Sequence, residues 1–155
     1  MKVERLTKVV HIVRFWDFIT EAWNTISDKV EAGLSLEVVR KTLISLVVEH
    51  DSAWIGVVFD GSVPLAFGVV QECTPQFEPD RSFVVRWFYH SPQHFDASIA
   101  LMTAFETWAK SQGIKRYAVT TRRSNGKAIR CFQSSKYGFG KAFLTFEKEL
   151  WPIHH

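Results

Sequence analysis

Cysteine is scarce: Cys73 and Cys131 are the only two in 155 residues. That excludes a disulfide framework, and their separation is not that of a metal site, so no metal centre is expected. Long apolar runs are missing as well. Leu46-Val47-Val48 stops at Glu49, and the run from Trp54 to Phe59 stops at Asp60, so nothing approaches a membrane span. No apolar run of the signal-peptide kind precedes Lys8, and the expected setting is cytoplasmic. Repeats, linkers and low-complexity tracts are absent, which excludes solenoid and disordered architectures. Long charge runs are absent too. The net charge is only +3, and the densest basic group, Lys115, Arg116, Arg122, Arg123, Lys127 and Arg130, is dispersed. It reads as a solvated face, or as attraction for a small anion.

What the chain has is aromatic mass. Thirteen Phe and six Trp, within a hydrophobic share of 46%, supply a large core, and the length suits one domain over residues 1–155. Phe83, Trp87, Tyr89 and Phe95 near basic residues could stack bases. No nucleic-acid signature accompanies them, so nucleic-acid binding is the weaker reading and core packing the stronger.

The first fifty residues read as helical. Val9, Ile12, Val13, Trp16, Ile19 and Trp23 recur at three- and four-residue steps between Val9 and Ile26, one apolar stripe on one helix. After Gly33, Ser35 is an N-cap for a helix from Leu36 to Glu49, with Val39, Leu43, Leu46 and Val47 on one side. A short strand around Val3 to Leu6 precedes them. From Asp51 the pattern becomes β. Trp54–Phe59 and Leu65–Val70 flank the turn signal Asp60-Gly61, and Gly68 marks a bulge or a close backbone approach. Ser82–Tyr89 is a third strand. A helix from about Asp96 to Gln112 ends at Gly113, followed by a strand from Arg116 to Thr121, a short helix from Gly126 to Ser135 and a strand from Phe139 to Leu150. The fold class is α/β (an α+β mixed sheet), with about six strands flanked by about four helices. The strands before and after the long helix are expected to be parallel, with their C-terminal ends diverging.

Three segments fall together in that scheme: Tyr89 to Ser98, Ser124 to Phe132, and Tyr137-Gly138-Phe139. In the first, a strand end leads into a helix N-terminus, where free amides favour a phosphate. The helix Ala100–Gly113, then Asn125, Ala128, Phe132 and Gly138-Phe139, resemble the GCN5-related N-acetyltransferase (GNAT) superfamily over roughly Ser52 to Leu150. The resemblance implies acetyl-CoA in an opening of a splayed sheet, with its pyrophosphate on a loop of pattern Gln/Arg-x-x-Gly-x-Gly/Ala. Gln93 takes the first position, Asp96 the first Gly and Ser98 the last. Phe88, Tyr89, Gln93, His94, Phe95, Asp96, Ala97, Ser98 and Asn125 are the implied cofactor contacts. Asp96 departs from the pattern, because a carboxylate opposes a phosphate where Gly would admit it. Read on its own, Asp96 is a helix cap.

The family often places a Tyr in the late helix to protonate the leaving thiolate. Phe132 stands there, and Tyr137 is the substitute candidate. His90, at the end of the third strand, and Glu72, on the second hairpin strand, are candidate general bases. Arg86, inside an apolar strand, calls for a partner or an anionic ligand. The implied activity is acetyl transfer to an amine of a small molecule or a protein. The alternative is a degenerate member kept for binding or assembly, as a homo-oligomer or with a partner protein. That version resembles the GNAT-like proteins of tailed bacteriophages, some carried in the virion.

Overall fold

Alternation of apolar residues builds the sheet. In β2 (Ala53–Asp60), Ile55 and Val57 point to one face and Trp54 to the other, and all three are buried. A strand buried on both faces needs cover on both sides. It is supplied by α1 (Val9–Arg14), α2 (Trp16–Ser27) and α3 (Leu36–Val48) on one face and by α4 (Phe95–Ser111) on the other. The remaining strands are β1 (Lys2–Arg5), β3 (Val63–Glu72), β4 (Ser82–His90) and β5 (Arg116–Val119). The computed structural model describes residues 1–27, 35–49, 51–74, 76–119, 130, 132, 138–140 and 148. The chain divides into two compact units, Met1–Arg122 and Arg123–His155.

The sheet of the first unit has the order β1-β2-β3-β4-β5. The first three pairings are antiparallel and β4–β5 is parallel. The mixed sheet and the parallel final pair agree with the expectation. Five strands are present among the described residues; the sixth, Phe139–Leu150, lies largely outside them. The diverging ends also fall outside, because the last described pair is Val85 with Val119. The hairpin turn behaves as expected, with Gly61 at φ +60°.

The first helix does not run unbroken from Val9 to Ile26. It ends at Arg14, and Phe15 turns the chain into α2. Phe15 is buried, with its ring centroid 6.1 Å from that of Phe59. The turn there moves the buried stripe to Ile12, Phe15, Phe18, Ile19, Ala22 and Trp23, and leaves Val9 and Val13 exposed. The stripe of α3 is the expected one: Val39, Leu43, Leu46 and Val47 are all buried, and Ser35 Oγ accepts from the Val38 N–H.

The end of α4 follows from Gly113, at φ +71°. Its N–H donates to the Lys110 carbonyl, and the Ile114 N–H donates to the Ala109 carbonyl. That paired closure satisfies two otherwise orphaned carbonyls, and buried Ile114 adds the apolar contact usual with it. Tyr117 on β5 then packs edge-on against Phe105, centroids 4.9 Å apart, and its hydroxyl donates to Glu106 at 2.7 Å. Burial first, and then the Glu106 carboxylate, push its phenol well above its ordinary pKa.

Candidate functional site: the end of β4 and the start of α4

A bulge decides which way the β4 side chains face. Val70 on β3 pairs with Val85, whereas Val69 pairs with Trp87, so Arg86 is an extra residue on β4. Before it, Phe83 faces α4, with its ring 5.7 Å from Trp108. After it the parity reverses. Trp87 meets Trp23 of α2 at 5.8 Å, and Tyr89 meets Phe18 of α2 at 5.7 Å. Phe88 and His90 therefore take the α4 side, where the His90 ring stands edge-on to Phe95 at 6.1 Å. The bulge lies at Arg86, two residues from the partner of Gly68. Gly68 itself serves close approach, since a Cβ there would come within 2.9 Å of Leu101 Cδ2 on α4.

The bulge follows directly on the last described β4–β5 pair. The last described β4–β5 pair is Val85 with Val119, while pairing with β3 continues to His90 opposite Ala66. The chain then turns sharply. The Ser91 N–H donates to the Leu65 carbonyl at 2.8 Å, and the His94 N–H donates back to Ser91 at 3.1 Å. Pro92 and Gln93 are the central residues of that turn, and Gln93 has φ +68°. Pro followed by a positive-φ residue is the type II pattern, in which Gly is usual at the second place.

The helix N-cap is His94, which makes no side-chain capping bond. Asp96 lies inside the first turn, not at the cap as the residue reading expected. Its Oδ1 accepts from the Ala97 N–H at 3.0 Å. A carboxylate in this position is favoured by the partial positive charge of the helix end. Ser98 is fully buried, and its hydroxyl donates to the Phe95 carbonyl. Between Trp87 and Ser98 there is no Lys or Arg, so an anion here would meet backbone amides rather than a cation.

Phe88, Tyr89, Gln93, His94, Phe95, Asp96, Ala97 and Ser98 thus lie on one stretch of chain, from the end of β4 through the turn into the first turn of α4. Tyr89 has its ring buried against α2, which leaves its backbone as the part that could contact a ligand there. His90 Nδ1 lies 3.0 Å from the Ser91 carbonyl oxygen. A carbonyl only accepts, so Nδ1 carries the proton, and Nε2 is the basic nitrogen of the neutral ring.

Glu72 stands elsewhere. It pairs with Phe83, seven residues along β4 from His90, or roughly 23 Å at strand rise. Its carboxylate accepts from Arg81 Nε at 3.0 Å and from Thr74 at 3.0 Å. The Arg81 bond holds its pKa below the ordinary value, which makes it a weak base. Asn125 and Tyr137 lie outside the described residues. In the second unit Phe132 is helical, and its ring is edge-on to Phe139 at 5.7 Å. Among the described residues no group of His, Cys, Asp and Glu could hold a metal, and no helix is long and apolar enough to cross a membrane.

Two features were missed by sequence reasoning: the bulge and the strained turn. The apolar run on both sides of Arg86 hides a change of parity. Pro92-Gln93 carries half of a type II signal and lacks the Gly that completes it.

A mixed sheet with this order, parallel only at β4–β5 and with a helix leading from one to the other, is the fold of the GNAT acetyltransferases. An aminoglycoside acetyltransferase from an uncultured soil metagenomic sample, solved with sisomicin, matches at TM-score 0.72 and 14% identity, over 96% of this chain and 95% of that one. Aminoglycoside N-acetyltransferase AAC(6')-Iy, solved with CoA, matches at 0.73 and 12%, over 96% and 94%. A GNAT family acetyltransferase of Staphylococcus aureus matches at 0.68 and 10%, over 97% and 100%. No protein-family model and no curated protein matches the sequence.

Proposed function

We propose that the protein transfers an acetyl group from acetyl-CoA to an amine of a small molecule or a protein. The observation that carries this reading is the β4–α4 junction. There, a strand that runs parallel to β5 turns through Ser91–His94 into the N-terminus of a 17-residue helix, within a GNAT fold. The residues fit acetyl-CoA in their backbone and oppose it in one side chain, Asp96. The turn Gln93–Ser98 would hold the pyrophosphate and the β4 segment Trp87–Tyr89 would line the thioester arm. Acetyl-CoA, when bound, supplies an activated acyl carbon that an amine attacks as the C–N bond forms and the C–S bond breaks.

The chain's own work is then to orient and to move protons. Backbone amides of β4 polarise the acyl oxygen. His90 Nε2 takes the proton of the attacking amine, directly or through water. Phe132 has no proton to give the thiolate, and Tyr137, outside the described residues, is the candidate acid on sequence alone. Glu72, tied to Arg81 at the far end of the strand, has no part in this proposal.

A second reading is favoured by Asp96, whose carboxylate already occupies a first-turn amide donor. On that reading the fold is kept for binding or assembly and does not turn over. Thiol release from acetyl-CoA with a panel of amines and peptides decides between the two. Release that depends on the amine supports transfer. No release, with no acetyl-CoA binding by calorimetry, leaves the binding role.

A further inference from the structure

We propose that the acceptor is an amine that also carries a carboxylate, read by Arg86. This rests on the acetyl-transfer reading and names its substrate class. Arg86 is the bulged residue of β4, one position past the last described pair with β5 and next to the Trp87–Tyr89 segment assigned to the thioester arm. It is exposed, and Nε donates to Gln71 Oε1 at 3.3 Å. Gln71 sits between Val70 and Glu72 on β3, on the face that carries Val69 toward α2 and α3 by one step of two. Arg86 therefore stands on the α2 side of the sheet together with Trp87 and Tyr89. The phosphate-favouring amides of Gln93 to Ser98 begin seven residues further along the chain, past the end of β4 and at the start of α4. The guanidinium is thus separate from the place where the pyrophosphate would sit.

Arg14, Arg81 and Arg116 each hold a carboxylate. Arg86 has only a neutral amide partner, and no carboxylate reaches it among the described residues. A guanidinium offers a flat fork of donors that matches a carboxylate in two bonds. Trp87, half-buried beside it and backed by Trp23, gives an apolar surface for the rest of the acceptor. The same cation repels a second ammonium group. Sisomicin, present in one of the similar structures, is a polyamine, so this chain should discriminate against that kind of acceptor and in favour of an amino acid or an acidic peptide terminus.

The test measures acetyl transfer to L-phenylalanine, L-phenylalaninamide and sisomicin by wild type, Arg86→Gln and Arg86→Lys. Comparing enzymes on one substrate cancels the different basicity of the amines. Arg86→Gln should lower kcat/KM for phenylalanine by about tenfold, mainly through KM, the size of one charge-assisted hydrogen bond. The amide should change by less than about twofold, and sisomicin should improve. Arg86→Lys should recover part of the loss. Equal effects on acid and amide, or no effect on either, would overturn the assignment. If no amine is turned over, ligand-observed NMR with N-acetyl-L-phenylalanine and its amide decides it without acetyl-CoA. Binding of the anion that weakens about fivefold or more in Arg86→Gln supports the carboxylate site. Equal binding by both enzymes refutes it. The failure of the acetyl-transfer reading shows separately, as no thiol release with any amine together with no heat on titration with acetyl-CoA.

Discussion

Asp96 is the residue on which cofactor affinity turns. Its carboxylate adds negative charge to the first turn of α4 and takes the Ala97 N–H. Asp96→Gly should tighten acetyl-CoA by about 1 kcal/mol, or roughly fivefold, from the scale of charge effects at helix ends. Asp96→Asn should give part of that gain by removing charge alone. Calorimetry on the three forms measures it, and unchanged affinity would remove the turn from the site. His90 makes a second residue-level prediction. The amide of Asn can replace Nδ1–H toward the Ser91 carbonyl but offers no base. His90→Asn should therefore keep the fold and lose about 10²-fold or more in turnover. Nitrogen-15 shifts of the wild-type ring should show a protonated Nδ1 and an unprotonated Nε2; the opposite tautomer would contradict the assigned base. Glu72 gives a pH effect of known sign. Its folded pKa lies below the ordinary 4.5, mainly through the Arg81 hydrogen bond. The pair therefore stabilises the fold above about 4.5, and that contribution is lost as pH falls through the lowered value. Acid unfolding below pH 4.5 should be less steep for Glu72→Gln than for wild type, read by circular dichroism.

Among the elements, the long regular ones were legible and the breaks were not. The apolar spacing of α3, Ser35 as a cap and Gly113 as the stop of α4 each act through local chemistry, and each appears where the sequence places it. The interruption at Phe15 was hidden because Val9, Ile12, Val13 and Trp16 fit an ideal helical stripe. Only the pull of Phe15 and Phe18 into the core, a tertiary effect, selects the other face. The β4 bulge was hidden because apolar residues flank Arg86 on both parities. The site residues of the β4–α4 turn were legible as a strand end meeting a helix start. Their facing was not, since it depends on one unpaired residue. Glycines test the packing. A Cβ on Gly56 would lie 2.2 Å from Trp54 Cη2. Gly56→Ala should therefore destabilise the fold by about 1–3 kcal/mol, the usual cost of overpacking. Gly68→Ala comes tightest against the end of the Leu101 side chain, at 2.9 Å, with the Trp87 carbonyl oxygen at an ordinary 3.6 Å. It should cost less and loosen α4 against the sheet. Urea denaturation ranks the two, and the reverse order would contradict the close approach of the Trp54 ring to Gly56.

The whole molecule joins a GNAT fold to a sequence that departs from the expected cofactor pattern at Asp96 and from the usual acid at Phe132. Lost acid assistance costs about 10²–10⁴ in rate, so wild-type turnover should be slow unless Tyr137 supplies the proton; Tyr137→Phe should then slow it further, and Phe132→Tyr should raise it. Binding should still stabilise the folded chain, by about 2.7 kcal/mol at a hundredfold excess over Kd. The most direct test follows the backbone amide resonances of the full-length protein during titration with acetyl-CoA. Saturable shifts concentrated from Phe88 to Ser98 are the predicted result. No shifts at millimolar acetyl-CoA, or shifts confined to residues away from the β4–α4 turn, would contradict the account.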